Sequence, residues 1–153
     1  MAQRSLVDPP ARERPQVRLL RGIMRANALM RDFHKGQFDQ LGVSMTEFDF
    51  LAALGNTDGL RMKDLARAMI TTPSNVTRVC ASMEKKGLAM RERSAESDRE
   101  VIARLTPEGE QRFRELFPRG VELTTTKFDE LLSDEDQRTA ADILDRLIAG
   151  LSE

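Results

Sequence analysis

The chain has 153 residues, 40% of them hydrophobic and 32% charged, with only 6 Pro, which suits one folded domain and excludes a disordered or collagen-like polypeptide. One Cys and one His exclude an internal disulfide and starve most metal and Cys/His nucleophilic sites, and no apolar run approaches the roughly 20 residues of a membrane span. The net charge of −1 conceals +5 over residues 1–35, −4 over 36–60, +4 over 61–104 and −6 over 105–153, so two basic segments are available to converge on a polyanion.

Residues 1–15, with Pro9, Pro10 and Pro15, read as a flexible arm without the apolar stretch of a secretory signal, so a cytoplasmic protein is expected. From Gln16 to about Leu41 the stripe Leu20, Ile23/Met24, Asn27, Met30, His34, Phe38, Leu41 steps by three and four residues and predicts one long helix, ended by Gly42. Ser44 and Glu47 form a capping box for a second helix that buries Phe48, Leu51 and Leu54 and stops at Gly55; Asn56 to Gly59 reads as a turn.

Two short helical patterns follow, joined by Ile70-Thr71-Thr72. The first, Met62 to Met69, turns Leu65, Ala66 and Met69 inward. The second has Thr72 as N-cap and Pro73 at its first position, buries Val76, Val79, Cys80 and Met83, and ends at Gly87. A short helix, a tight turn and a second amphipathic helix make a helix-turn-helix. After Gly87 the period changes to two. Leu88–Arg93 and Arg99–Leu105, separated by the polar turn 94–98, predict a β-hairpin, which directly after a helix-turn-helix is a wing. Thr106-Pro107 then launches a long helix towards Leu132, which Pro118 is expected to kink or interrupt, and Ser133 with Asp136 caps a last helix carrying Ala140, Ile143/Leu144, Leu147/Ile148 and Leu151.

The expected fold is therefore mainly α, an α+β winged helix-turn-helix of about six helices plus a hairpin. Its expected organisation is an arm (1–15), a dimerisation helix (16–43), a winged DNA-binding unit (44–105) and C-terminal dimerisation helices (106–153). The flanking helices carry long apolar stripes with no second core in a monomer to bury them, and a symmetry mate would bury them.

The outward side of Pro73–Lys86 presents Ser74, Asn75, Thr77, Arg78 and, one turn later, Ser82 and Lys85. Such side chains suit a major groove, where Asn pairs with adenine and Arg with guanine, while hydroxyls and helix N-terminal amides hold phosphates. In the hairpin, Arg99 lies at or just past the tip, flanked by Arg91, Arg93 and Arg104, and an Arg on a protruding loop can enter a narrow minor groove. A surface helix with polar residues facing water, and an Arg99 paired with Asp98 or Glu96, are the plain alternatives.

These residues resemble the MarR family of bacterial winged-helix regulators. The likeness lies in S-N-V-T-R-V-C-A-S-M-E-K-K-G-L-A-M-R-E-R, a wing containing S-D-R, and L-T-P-E-G opening the next helix, and it extends from about Gln16 to Leu151. The resemblance implies a homodimer whose intertwined terminal helices set two winged domains on successive major grooves of a pseudo-palindromic operator. It places Ser74, Asn75, Thr77 and Arg78 among the recognition-helix contacts and Arg99 at the wing arginine. Ser97 stands where the family pattern has an Asp two positions before that arginine. The resemblance further implies repression relieved by a small aromatic or phenolic effector, for which Asn27, His34 and Arg112 are the candidate contacts; helix-packing and interface roles are their alternatives.

Other classes are weighed against this. Cys80 raises a redox input, yet it lies on the inward stripe, where a small buried hydrophobe is expected. No Gly-rich phosphate loop, G-x-S-x-G elbow or H-E-x-x-H is present, so neither enzymatic activity, nor a cofactor, nor a metal is expected. A winged-helix dimer with no effector, and a helical interaction protein that ignores DNA, complete the alternatives.

Overall fold

The computed structural model describes residues 13–94 and 97–151; the side chains of residues 97–99 lie outside the description. Among the described residues, six helices and a small sheet follow in the order α1 (Pro15–Gln40), α2 (Met45–Leu54), β1 (Leu60–Arg61), α3 (Met62–Ala68), α4 (Pro73–Lys85), β2 (Ala89–Ser94), β3 (Ser97–Leu105), α5 (Pro107–Leu131) and α6 (Asp134–Leu151). The expected arm falls mostly outside the described residues, and Pro15, its last member, is instead the first residue of α1. There its missing N–H would have had no helical partner anyway.

Local chemistry accounts for the helix limits. Ser44 Oγ accepts from the Glu47 amide while the Glu47 carboxylate accepts from the Ser44 amide, closing the capping box of α2. Thr72 Oγ1 caps α4 by accepting from the Asn75 amide, and Thr106 Oγ1 caps α5 by accepting from the Gly109 amide. The Thr106 hydroxyl also donates to the Gly87 carbonyl at 2.6 Å, tying the start of α5 to the end of α4. Ser133 Oγ accepts from the Asp136 amide at the head of α6.

Gly42 and Gly87 take φ of +70° and +71° just past α1 and α4, each followed by an amide that reaches back to the last turn, which is the Schellman stop. The same pair of bonds ends α3, Ile70 to the Arg67 carbonyl and Thr71 to the Ala66 carbonyl, but the left-handed position is occupied by Ile70. Gly55 differs from the other stops. Its backbone is right-handed, and glycine is needed because a Cβ there would lie 2.4 Å from the Phe113 ring.

The sheet order is β1-β3-β2, antiparallel throughout, with Leu60 opposite Ala103 and Ala89 opposite Leu105. The two-residue strand β1 carries no readable period and falls outside the sequence expectation. The hairpin is longer than its sequence pattern: β3 begins at Ser97, so Arg99 lies inside a strand and not at the tip. The register passes from Arg93↔Val101 to Ser94↔Ser97, leaving residues 98–100 as a bulge. Pro118 does not interrupt α5; it lies exposed within the helix, where the cost is one backbone bond.

The core lies in the winged unit. Phe50, Leu51, Leu54, Leu65, Val76, Val79, Cys80 and Met83 are buried where α2, α3 and α4 meet, and Ala103 closes the core from the sheet. Phe113 and Leu116 join it from the first half of α5. By contrast, α6 buries nothing, and Leu19, Leu20, Met24 and Leu29 of α1 are all at least half exposed.

Candidate nucleic-acid interface

Helix α4 has two unlike sides. Val76, Val79, Cys80 and Met83 are buried at i, i+3, i+4, i+7, which fixes the helix against α2 and α3 and turns Ser74, Thr77 and Arg78 to solvent. Asn75 and Ser82 are half-buried at the edge of that outer face. Thr77 Oγ1 donates to the Pro73 carbonyl at 3.0 Å, and the Ser74 and Thr72 hydroxyls share a bond of 3.1 Å. These hydroxyls lie at the N-terminal end of α4, where the helix dipole favours an anion.

Asn75 holds a central place in this face. Its Nδ2 donates to Thr71 Oγ1 at 2.9 Å, and its Oδ1 accepts from Arg78 Nη2 at 2.8 Å. Thr71 carries no obvious sequence signal, although its i, i+4 spacing from Asn75 is the one that allows such a bond on a helical turn.

The wing is fastened to this helix by charge. Arg91 on β2 donates from Nε (3.0 Å) and Nη2 (2.6 Å) to the two carboxylate oxygens of Glu84 on α4. That bond holds the Glu84 carboxyl below its usual range and raises the Arg91 guanidinium. Arg91, read from the sequence as a DNA contact, is paired here with a carboxylate of its own chain, a bond that links the wing to α4. Arg104 is engaged likewise, by Glu92 and the Asp58 carbonyl. Arg93, further out on β2, is exposed. Arg99 belongs to β3 by its backbone, and its side chain lies outside the described residues. At the far end of α4, Lys86 Nζ donates to Glu47 at 2.6 Å; burial of Glu47 opposes ionisation, but the bonds from Lys86 and from the Ser44 amide prevail and lower its pKa.

Cys80 is wholly buried, and burial together with the nearby Glu84 pushes its thiol up to about 11. A sensor thiol needs the opposite, an exposed sulfur with a lowered pKa, so the redox alternative is set aside.

The three candidate effector contacts do not come together. His34 lines an apolar cavity of about 380 Å³ between α1 and α5, with Phe33, Phe128 and Lys127. Asn27 is exposed on α1 and does not line it. Arg112 donates from Nη2 to the Leu41 carbonyl at 3.3 Å, at the junction of α1 and α2, a helix-packing role. Lys127, which the sequence reading missed, is the cation at this cavity and also pairs with Glu130. Among the described residues no cluster of three His, Cys, Asp or Glu is placed to hold a metal, and no helix is long and apolar enough to cross a membrane.

A short helix, a left-handed turn, a second helix with an apolar inner and polar outer side, and a hairpin clamped beside it define a winged helix-turn-helix, a fold that lays its second helix in the DNA major groove. The particular family follows from comparison: the model of the MarR family matches residues 43–101. An HTH-type transcriptional regulator of Bacillus subtilis, YfiV, is 33% identical over 99 residues, which are 65% of this chain and 61% of YfiV, so the chain spans less than two thirds of that relative. Two MarR family regulators of Streptomyces coelicolor share the structure at 26% identity. AbsC has a TM-score of 0.78, covering 88% of this chain and 92% of its own, and Sco3205, solved in complex with DNA, has 0.79, covering 88% and 86%. Residues 43–101 thus match the MarR family model, and over most of its length the chain is similar to winged-helix transcriptional regulators.

Proposed function

We propose that the protein is a homodimeric, cytoplasmic repressor that binds a pseudo-palindromic operator through α4 and its wing and is released from it by a small aromatic or phenolic effector. The observation that carries the DNA reading is the two-sidedness of α4: its inner side is locked in the core, while Ser74, Thr77 and Arg78 stand exposed beside a wing that its own chain holds in place. In this reading the N-terminal hydroxyls and amides hold phosphates, Arg78 addresses a base edge, and Arg93 and Arg99 extend the contact along the wing.

A second copy is supported by the apolar faces of α1 and α6. Ile143, Leu144, Leu147, Ile148 and Leu151 are between 39% and 79% exposed, more apolar surface on one helix than a soluble monomer leaves in water. Two copies related by a two-fold axis would present two α4 helices to half-sites about one helical turn apart.

For the effector, support comes from the cavity between α1 and α5 and from what adjoins it. His34 begins a row of rings: 6.4 Å to Phe38, then 4.8 Å to Phe48, 6.1 Å to Phe117 and 4.9 Å to Phe113. A ligand seated beside His34 therefore touches the head of a continuous packed row that ends in the winged core. An aromatic acid would place its ring on Phe33 and Phe128 and its carboxylate near Lys127. It would act only by binding one spacing of the α4 pair better than another.

The test is fluorescence anisotropy with duplexes recovered by binding selection from random fragments. Expected are retention of a two-fold symmetric site, affinity that falls steeply as salt rises because counterions are released, and loss of binding on adding benzoate- or phenol-type acids. Retention of no duplex at low salt overturns the DNA reading; affinity unmoved by aromatic acids overturns the effector.

A further inference from the structure

We propose that Asn75 is a positioning residue for Arg78, and that Arg78, held by it, is the side chain that reads a guanine in each half-site. This rests on α4 entering the major groove. The Thr71, Asn75 and Arg78 side chains form a row from the turn before α4 into its second turn, joined by bonds of 2.9 and 2.8 Å. Arginine has no acceptor, so the edge of Asn75 that meets Nη2 must be its carbonyl oxygen, and the amide nitrogen is then the group turned to Thr71. A bidentate contact to adenine needs that oxygen as acceptor and that nitrogen as donor. Each already has one partner within the chain and Asn75 is half-buried, so a bidentate adenine contact would have to share or break these bonds.

Arg78 is in the opposite position. It is exposed, and the partner that holds it is a neutral amide, whereas Arg61, Arg67, Arg91 and Arg104 each hold a carboxylate. Its charge is therefore not cancelled, and its remaining N–H groups are available as a fork for guanine O6 and N7. Anchoring one nitrogen also removes part of the rotamer freedom that a long side chain would otherwise lose on binding.

The experiment is binding selection with a randomised half-site, run on the full chain as wild type, Arg78→Ala, Asn75→Ala, Asn75→Asp and the Arg78→Ala/Asn75→Ala double variant, each checked for its helical circular dichroism. Wild type is expected to select a guanine whose replacement by 7-deazaguanine, lacking the N7 acceptor, weakens binding roughly 10-fold or more. Arg78→Ala is expected to lose that preference. Asn75→Ala is expected to blunt it, and to add nothing in the Arg78→Ala background. Asn75→Asp keeps an acceptor for Arg78 but makes it a carboxylate and has no N–H for adenine N7, so it is expected to weaken binding to every sequence while what binding remains still favours the guanine. If instead Asn75→Ala and Asn75→Asp both erase selection of an adenine while the guanine preference stands, and the effects add to that of Arg78→Ala, then Asn75 reads a base directly and the proposal fails. A wild type that selects no duplex fails the underlying DNA reading as well, which the guanine arm alone would not.

Discussion

Two amphipathic helices of this chain show how differently one pattern can be used. In α4 every apolar residue of the stripe is buried, whereas α6, with an equally regular stripe, buries none. The difference lies in what the topology places opposite each helix. α4 meets α2, α3 and the sheet, each offering an apolar face at the right distance, while the last turns of α5 and all of α6 run beyond the winged core. An apolar face that its own chain leaves uncovered is a surface for association, and one that is covered is a scaffold. The winged unit is thus complete in one chain, and the flanking helices are not.

The sharpest way to break this comparison is to charge the uncovered face. Leu144→Asp with Leu147→Asp is expected to yield a monomer in sedimentation and to weaken operator binding by roughly 10²- to 10⁴-fold, because the second half-site is no longer engaged by a linked partner. A variant that stays dimeric would show that α6 is not the associating face. In the winged unit the corresponding deletion is structural: Leu65→Ala, at a wholly buried position, is expected to lower stability by about 2–5 kcal/mol in urea unfolding. A loss below about 1 kcal/mol would mean that the core is looser than its burial implies.

The pH dependence of the same core sharpens the contrast further. The Cys80 thiol goes from an ordinary 9.0 to about 11 on folding, so between these values the folded state holds a proton that the unfolded state has released. Stability is then unaffected below pH 9 and falls as pH rises towards 11. Unfolding midpoints of wild type are expected to decline over that window relative to Cys80→Ala; parallel curves would mean that Cys80 is not protected. The smallest effect concerns the turn between α3 and α4. Ile70 is 94% exposed at φ +49°, so Ile70→Gly removes left-handed strain and no packing, and is expected to raise stability by about 0.5–1 kcal/mol. A fall instead would show that the isoleucine makes a contact in the assembled protein.

Much of this was legible along the chain because the signals are local. Thr72-Pro73, the Ser44/Glu47 box and Gly87 fix helix limits through bonds spanning three to five residues, and the 3.6 period of Val76, Val79, Cys80 and Met83 announces a buried face before its partner is known. The functional surface was legible only in outline. Arg91 and Arg93 look alike in sequence, two residues apart on one strand, and only the position of Glu84 on α4 separates a wing clamp from an exposed cation. Asn75 reads as a base contact in sequence, and only the fold shows that Thr71 and Arg78 are bonded to it on either side. His34, Asn27 and Arg112 share a chemistry, yet His34 lines the cavity, Asn27 is exposed on the same helix, and Arg112 is bonded to the Leu41 carbonyl.

The sequence by itself determined the order of the helices and the hairpin, the caps and the apolar stripe of each helix, since these depend on periodicity and on bonds within a turn or two. The tertiary structure decided which charges are neutralised by their own chain, where β1 joins the hairpin, and which apolar stripe remains uncovered. Those outcomes depend on pairs far apart along the chain, Glu47 with Lys86 or Leu60 with Ala103, and no local pattern encodes which distant residue will arrive as the partner.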